Sequence, residues 1–127
     1  MNLHSKNNVS QIAGQKGEEQ ATLFLKAKGY KILECNWHFK KYEIDVLAEF
    51  DNKLIVIEVK TRRTTDFGKP ETFVSLKKQK FLISAVNAYV EEKRVEKEIR
   101  FDIVSVIYNN GNFFIDHIQD AFYPRLQ

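Results

Sequence analysis

The run Leu54-Ile55-Val56-Ile57, continued by Glu58 and Val59, is apolar at both odd and even positions. A strand with one wet face alternates apolar and polar residues. One that is apolar on both faces has to lie in the middle of a sheet covered on each side. Just before it, residues 42–50 read as another strand, and Asp51-Asn52 reads as a two-residue hairpin turn. With that turn, paired positions sum to 103, so Asp45 faces Glu58 and Glu43 faces Lys60. A slip of one residue would throw these side chains onto opposite faces.

Facing strand residues lie about 5 Å apart. Two carboxylates in that relation repel by on the order of 3 kcal/mol at an effective dielectric of about 20. Such a pair calls for a proton, a basic partner or a hard cation. Oxygen donors with an open coordination position suit Mg²⁺ or Mn²⁺. A salt-bridge cluster at the strand end, with Lys60 as its cation, answers the same need.

The rest of the chain supplies the cover. Residues 1–10 are polar and unpatterned and are expected to be a flexible N-terminal tail, with residues 11–127 forming one domain. A helix is predicted over residues 11–28, its stripe formed by Ala13, Ala21, Phe24 and Leu25 and its stop by Gly29. Helical phase puts Glu18 about 20° from Leu25, facing inward, while Glu19 faces out. Residues 30–39 read as a strand in which Trp37 and Phe39 fit either the core or a stack on bases. A second helix over residues 75–93 turns Leu82, Ala85, Val86, Tyr89 and Val90 inward. Lys78 and Gln79 share that inward phase in its first turn. A lysine there opposes the helix dipole and gains only from a phosphate or an acidic site nearby. Residues 99–109 and 112–118 form a second hairpin about Asn110-Gly111, in which Arg100 and Asp102 are expected to pair. Arg62 and Arg63 open a basic loop suited to phosphate contact. His4, His38 and His117 show no ligand spacing and receive no role. The order helix, three strands, helix, two strands predicts an α/β sandwich around a mixed sheet, with a parallel crossover from the third strand to the fourth.

A chain of 127 residues with 43% apolar and 29% charged residues suits one globular domain. No apolar stretch approaches the roughly 20 residues of a membrane span, so no membrane association is expected. Nothing at the N-terminus reads as a secretory core, so a cytoplasmic location is expected. The single cysteine, Cys35, excludes an internal disulfide and a cysteine-cluster zinc site. A net charge of +3 is compatible with a nucleic-acid partner.

Asp45, twelve intervening residues, then Glu58-Val59-Lys60 resembles the PD-(D/E)xK restriction-endonuclease-like superfamily, which includes archaeal Holliday junction resolvases. More closely, the chain is similar to the YraN-like family of uncharacterised, endonuclease-like bacterial proteins. The resemblance is carried by Gly17-Glu18, Gly29-Tyr30, Glu43-Ile44-Asp45, Glu58-Val59-Lys60-Thr61-Arg62, Phe67-Gly68, Lys78-Gln79 and Arg100-Phe101-Asp102. It departs from that family at Tyr42, where glycine is usual, and at His38, where arginine is usual. The resemblance implies a restriction-endonuclease-like three-layer sandwich with a central mixed five-stranded sheet flanked by helices. It further implies a Mg²⁺- or Mn²⁺-dependent endodeoxyribonuclease. Asp45, Glu58 and the Val59 carbonyl would hold the metal. Lys60 would orient or activate water, and Glu18 would reach in from the first helix. Arg62, Lys78 and Gln79 would contact DNA. Branched or structured DNA is the implied substrate, a homodimer the implied assembly, and a 5′-phosphate and 3′-hydroxyl the implied products. The alternative is a non-catalytic nucleic-acid-binding module that keeps the nuclease fold.

Overall fold

A computed structural model describes residues 4–63 and 73–123, with side chains described from residue 14 onward. The motif Phe67-Gly68 lies outside the described residues. In chain order the elements are α1 (His4–Ala27), β1 (Lys31–Phe39), β2 (Tyr42–Phe50), β3 (Lys53–Arg63), α2 (Leu76–Lys93), β4 (Glu98–Asn109) and β5 (Asn112–Phe122). The strands lie side by side in sequence order, β3 and β4 parallel and every other neighbouring pair antiparallel. The mixed five-stranded sheet and the parallel step across α2 are as the sequence predicts.

The doubly apolar strand explains the layering. Ile55 and Ile57 of β3 join Val46, Ala48 and Val104 in a core closed by Ala21 and Leu25 of α1. Leu54 and Val56 join Leu47, Phe101 and Ile103 in a second core closed by Leu82, Ala85, Val86 and Tyr89 of α2. One helix thus covers each face of the sheet. Among the described residues, no helix is long and apolar enough to cross a membrane. Asp51 and Asn52 take left-handed φ values of 53° and 59°, the backbone a tight hairpin turn requires. The register from Val46↔Ile57 to Phe50↔Lys53 follows the predicted pairing.

Three boundaries differ from the sequence reading. Strand β3 runs to Arg63, so Arg62 and Arg63, read as opening a loop, stay in the ladder to β4. Helix α1 begins at His4, so residues 4–10, read as part of a tail, are helical. That stretch carries no apolar stripe for periodicity to detect. Extending a helix already seated on a sheet adds one hydrogen bond for each residue fixed. Strand β5 runs on to Phe122, because Asp120 takes a left-handed φ of 55° and pairing resumes at Phe101↔Phe122.

Helix α1 comes close to β3 at Gly17. A Cβ there would sit 2.1 Å from Thr61 Oγ1, 2.8 Å from its Cγ2 and 3.0 Å from its Cβ. The β-branched threonine has little rotameric freedom with which to yield. Gly17→Ala is therefore expected to push α1 off the sheet and destabilise the protein by about 1–3 kcal/mol. Gly14, on the same helix, has nothing within 4 Å of a Cβ among the described residues, so Gly14→Ala should stabilise by up to about 1 kcal/mol through helix propensity. Urea unfolding of the two variants checks both signs, and equal shifts would contradict the close approach. That approach also seats the next residue, Glu18.

Candidate functional site

The β2–β3 ladder ends at Val46↔Ile57. One residue further on, the strands have parted, and the Asp45 carboxylate enters the gap. Its Oδ2 accepts a hydrogen bond from the Val59 backbone N–H at 2.8 Å. The expected direct pairing of Asp45 with Glu58 and of Glu43 with Lys60 is therefore absent from the ladder. The two acids still meet, because Asp45 now sits between the strands. Glu43 instead stands 3.6 Å from His38 Nε2 on β1.

The parting begins in β1. Asn36 takes a left-handed φ of 52°, a conformation asparagine tolerates better than most residues. On either side of it, Cys35 pairs with Val46 and Trp37 with Ile44. Val46 belongs to the α1-side core, whereas Ile44 and Trp37 pack in the α2-side core. Regular alternation would keep both pairs on one face, so the two strands turn over between them, and Asp45 lies at that step. Asparagine is depleted in strand interiors, and this was the sequence signal that could have flagged Asn36.

Burial pushes the Asp45 carboxyl up to about 7, and the hydrogen bond and negative charge of Glu58 push the same way. The Val59 N–H and the Lys78 ammonium pull against them. Glu18 is also raised, by burial first and then by the Asp45 charge, while a hydrogen bond from Asn36 lowers it. Helical phase thus placed Glu18 correctly, beside Asp45. A cleft of about 390 Å³ on the α1 side is lined by Glu18, Cys35, Asn36 and Asp45. A second, of about 370 Å³ on the α2 side, is lined by Glu58, Lys60, Phe73, Val74, Ser75 and Lys78.

Glu58 Oε2 is buried and, among the described residues, has no hydrogen-bond partner. Lys78 Nζ stands 3.7 Å from it, within ion-pair range but too far for a hydrogen bond. The inward phase read for Lys78 thus leads to an acid on β3. Gln79 has a different use, since its Nε2 donates to the Val74 carbonyl at 2.8 Å and ties down the start of α2. Lys60 and Arg62 sit further along β3, in register with Ser105 and Ile107 of β4. Trp37 is partly buried against the α2-side core, edge-to-face with Tyr89 at 5.2 Å.

His117, given no role by sequence, is part of a buried polar network at the other end of α1. Asp102 and His117 have side chains 0% and 2% exposed. Arg100 donates to both Asp102 oxygens, at 2.9 and 2.8 Å, which is the predicted pair. The Asp120 backbone N–H adds a bond at 3.0 Å, and His117 Nε2 lies 2.8 Å from Oδ2. Lys28 Nζ reaches His117 Nδ1 at 2.8 Å. An ammonium can only donate, so Nδ1 accepts and the ring hydrogen sits on Nε2, directed at Asp102. The partners are 15 and 89 residues away in sequence, beyond the reach of local spacing.

Comparison with known proteins places the chain in a family. The model of the uncharacterised protein family UPF0102 matches residues 17–106. A UPF0102 protein of Christiangramia forsetii is 49% identical over 110 residues, covering 87% of this chain and 92% of its own. One from Flavobacterium johnsoniae is 50% identical over 114 residues, with 87% and 93% covered. One from Phocaeicola vulgatus is 47% identical over 113 residues, with 89% and 93% covered. From Gly17 in α1 to Val106 in β4, the matched span takes in both carboxylates, Lys60 and Lys78, and the chain belongs to the uncharacterised protein family UPF0102, the YraN-like family.

Proposed function

We propose that the protein is a metal-dependent nuclease that hydrolyses DNA phosphodiester bonds. The observation that carries this reading is the buried Glu58 Oε2, which among the described residues accepts no hydrogen bond and has Lys78 only at ion-pair distance, beside Asp45, whose carboxyl burial and Glu58 push up to about 7. A divalent cation relieves both defects, and hard carboxylate oxygens are the donors it favours. Asp45 and Glu58 would hold Mg²⁺ or Mn²⁺, with the Val59 carbonyl as a further donor and Glu18 approaching from α1. Bound there, the ion would supply Lewis acidity toward a phosphate and lower the pKa of water.

The chain's own groups supply the rest. Lys60 lines the cleft that Glu58 faces, where its charge would offset the negative charge gathering on the phosphate oxygens and would orient the attacking water. Lys78 shares that cleft and would anchor a neighbouring phosphate, as would Arg62 at the far end of β3. Water attack at phosphorus with departure of the 3′ oxygen, which takes up a proton, leaves a 5′-phosphate and a 3′-hydroxyl. Branched DNA requires two such cuts, and a homodimer is the assembly that would provide them.

A second reading is a nucleic-acid-binding module without catalysis. It is favoured by one observation: among the described residues, no three His, Cys, Asp or Glu side chains form a group able to hold a metal ion. Incubation with supercoiled, single-stranded and four-way-junction DNA, in Mg²⁺, Mn²⁺ or chelator, separates the two. The nuclease cuts only with metal, and Lys60→Ala lowers the rate by about 10²–10³-fold. Salt-dependent binding without cutting supports the second reading.

A further inference from the structure

Phe73 is 70% exposed, the most exposed of the large apolar side chains described, and it lines the same cleft as Glu58, Lys60 and Lys78. Its setting is built. The next residue, Val74, is 3% exposed and packs in the α2-side core, and its carbonyl is held by Gln79 Nε2 at 2.8 Å. Ser75 then caps α2, its side chain accepting from Lys78 N. The ring is thus carried out into solvent on anchored backbone. Phe81, two turns along α2, is covered, stacked at 4.6 Å on Tyr42 with Lys77 Nζ 5.9 Å from its centroid. Phe73 combines an open ring with two lysines of the same cleft, Lys60 and Lys78.

We infer that Phe73 is a stacking platform for an unpaired base, so that the site takes single-stranded DNA or an unpaired segment at a junction. The inference rests on the nuclease reading for the strand that occupies the cleft. Bases inside a duplex have both faces covered by their neighbours, and only an unpaired base can lay its face on the ring. The adjacent lysines complement the phosphates of that strand. A positive cleft with an open aromatic ring recognises a single strand without regard to sequence.

The test is binding by fluorescence anisotropy in Ca²⁺, with a labelled single strand and a blunt duplex of equal length, alongside cleavage in Mg²⁺ or Mn²⁺. Phe73→Ala should weaken single-strand binding by about 5- to 150-fold and leave duplex binding within about twofold. Phe73→Trp should retain single-strand affinity, and its emission should be quenched by the single strand but not by the duplex. Trp37 is packed against Tyr89 and serves as the unquenched background in the wild type. Equal losses on both substrates, or none, overturn the inference even if the enzyme cuts DNA. Selective loss without any cleavage upholds the platform and overturns the nuclease reading. Failure to bind any oligonucleotide overturns both.

Discussion

Asp45→Asn is expected to stabilise the metal-free protein above neutral pH and to abolish the proposed cleavage of DNA. Asp45 ionises near 3.8 when unfolded and is held up to about 7 in the fold by burial and by Glu58. The folded state therefore binds this proton more tightly than the unfolded chain. Its contribution to stability is complete below about pH 4 and is lost as pH rises through about 7, a change on the order of 2–4 kcal/mol. Asparagine has no proton to lose. Its Oδ1 can still accept from Val59 N, and its amide can donate to Glu58 where a second carboxylate repels it. Thermal melts of wild type and variant from pH 4.5 to 8.5 should diverge in the variant's favour with rising pH. Added Mg²⁺ or Mn²⁺ should raise the midpoint of the wild type and not of the variant. A variant less stable than wild type at pH 8, or one equally stabilised by metal, would contradict the proposed centre.

Asp102→Asn should lower stability by about 3–5 kcal/mol, a large part of the roughly 5–15 kcal/mol typical of a domain. The carboxylate accepts four hydrogen bonds, two at each oxygen. An amide keeps the shape but turns one acceptor into a donor facing other donors. If its nitrogen occupies the Oδ2 position, it meets Arg100 Nη2 and His117 Nε2. His117 cannot answer by moving its hydrogen, because Nδ1 already accepts from Lys28. The opposite flip sets the amide against Arg100 Nε and the Asp120 N–H. Burial alone would raise this carboxyl, but His117, Arg100 and the Asp120 N–H outweigh it and hold the group below its usual value. The stabilisation is therefore present above about pH 4 and lost in more acid solution. The Asp45 effect falls above that pH, so the two are separable. Urea unfolding at pH 7 measures the loss, and one under about 1 kcal/mol would show that the network is not needed for the fold.

Much of the site was legible because its cues are local. A two-residue turn set the β2–β3 register, and helical phase turned Glu18 and Lys78 inward. The pairing of Arg100 with Asp102 followed from a shared strand face. What the text hid depends on where regular geometry fails. Nothing in the alternation of residues 42–50 announces that the ladder stops at Val46, which is why Glu43 was matched to Lys60 and not to His38. The left-handed Asn36 lies on the neighbouring strand and redirects Asp45 through it. Phe73 and His117 derive their significance from residues distant in sequence.

The strand that carries Glu58 and Lys60 is laddered to β4 along its whole length, from Lys53↔Glu98 to Arg63↔Tyr108. Asp45 lies beyond the last β2–β3 rung. The pair therefore behaves mechanically like a vice with one fixed jaw and one compliant jaw. Displacing Asp45 from Glu58 breaks its bond to Val59 N and no rung of the parallel ladder. Local opening of this kind needs only a fraction of the global unfolding free energy. The spacing between the two carboxylates can then adjust to an occupant while β3 and its basic residues stay in place.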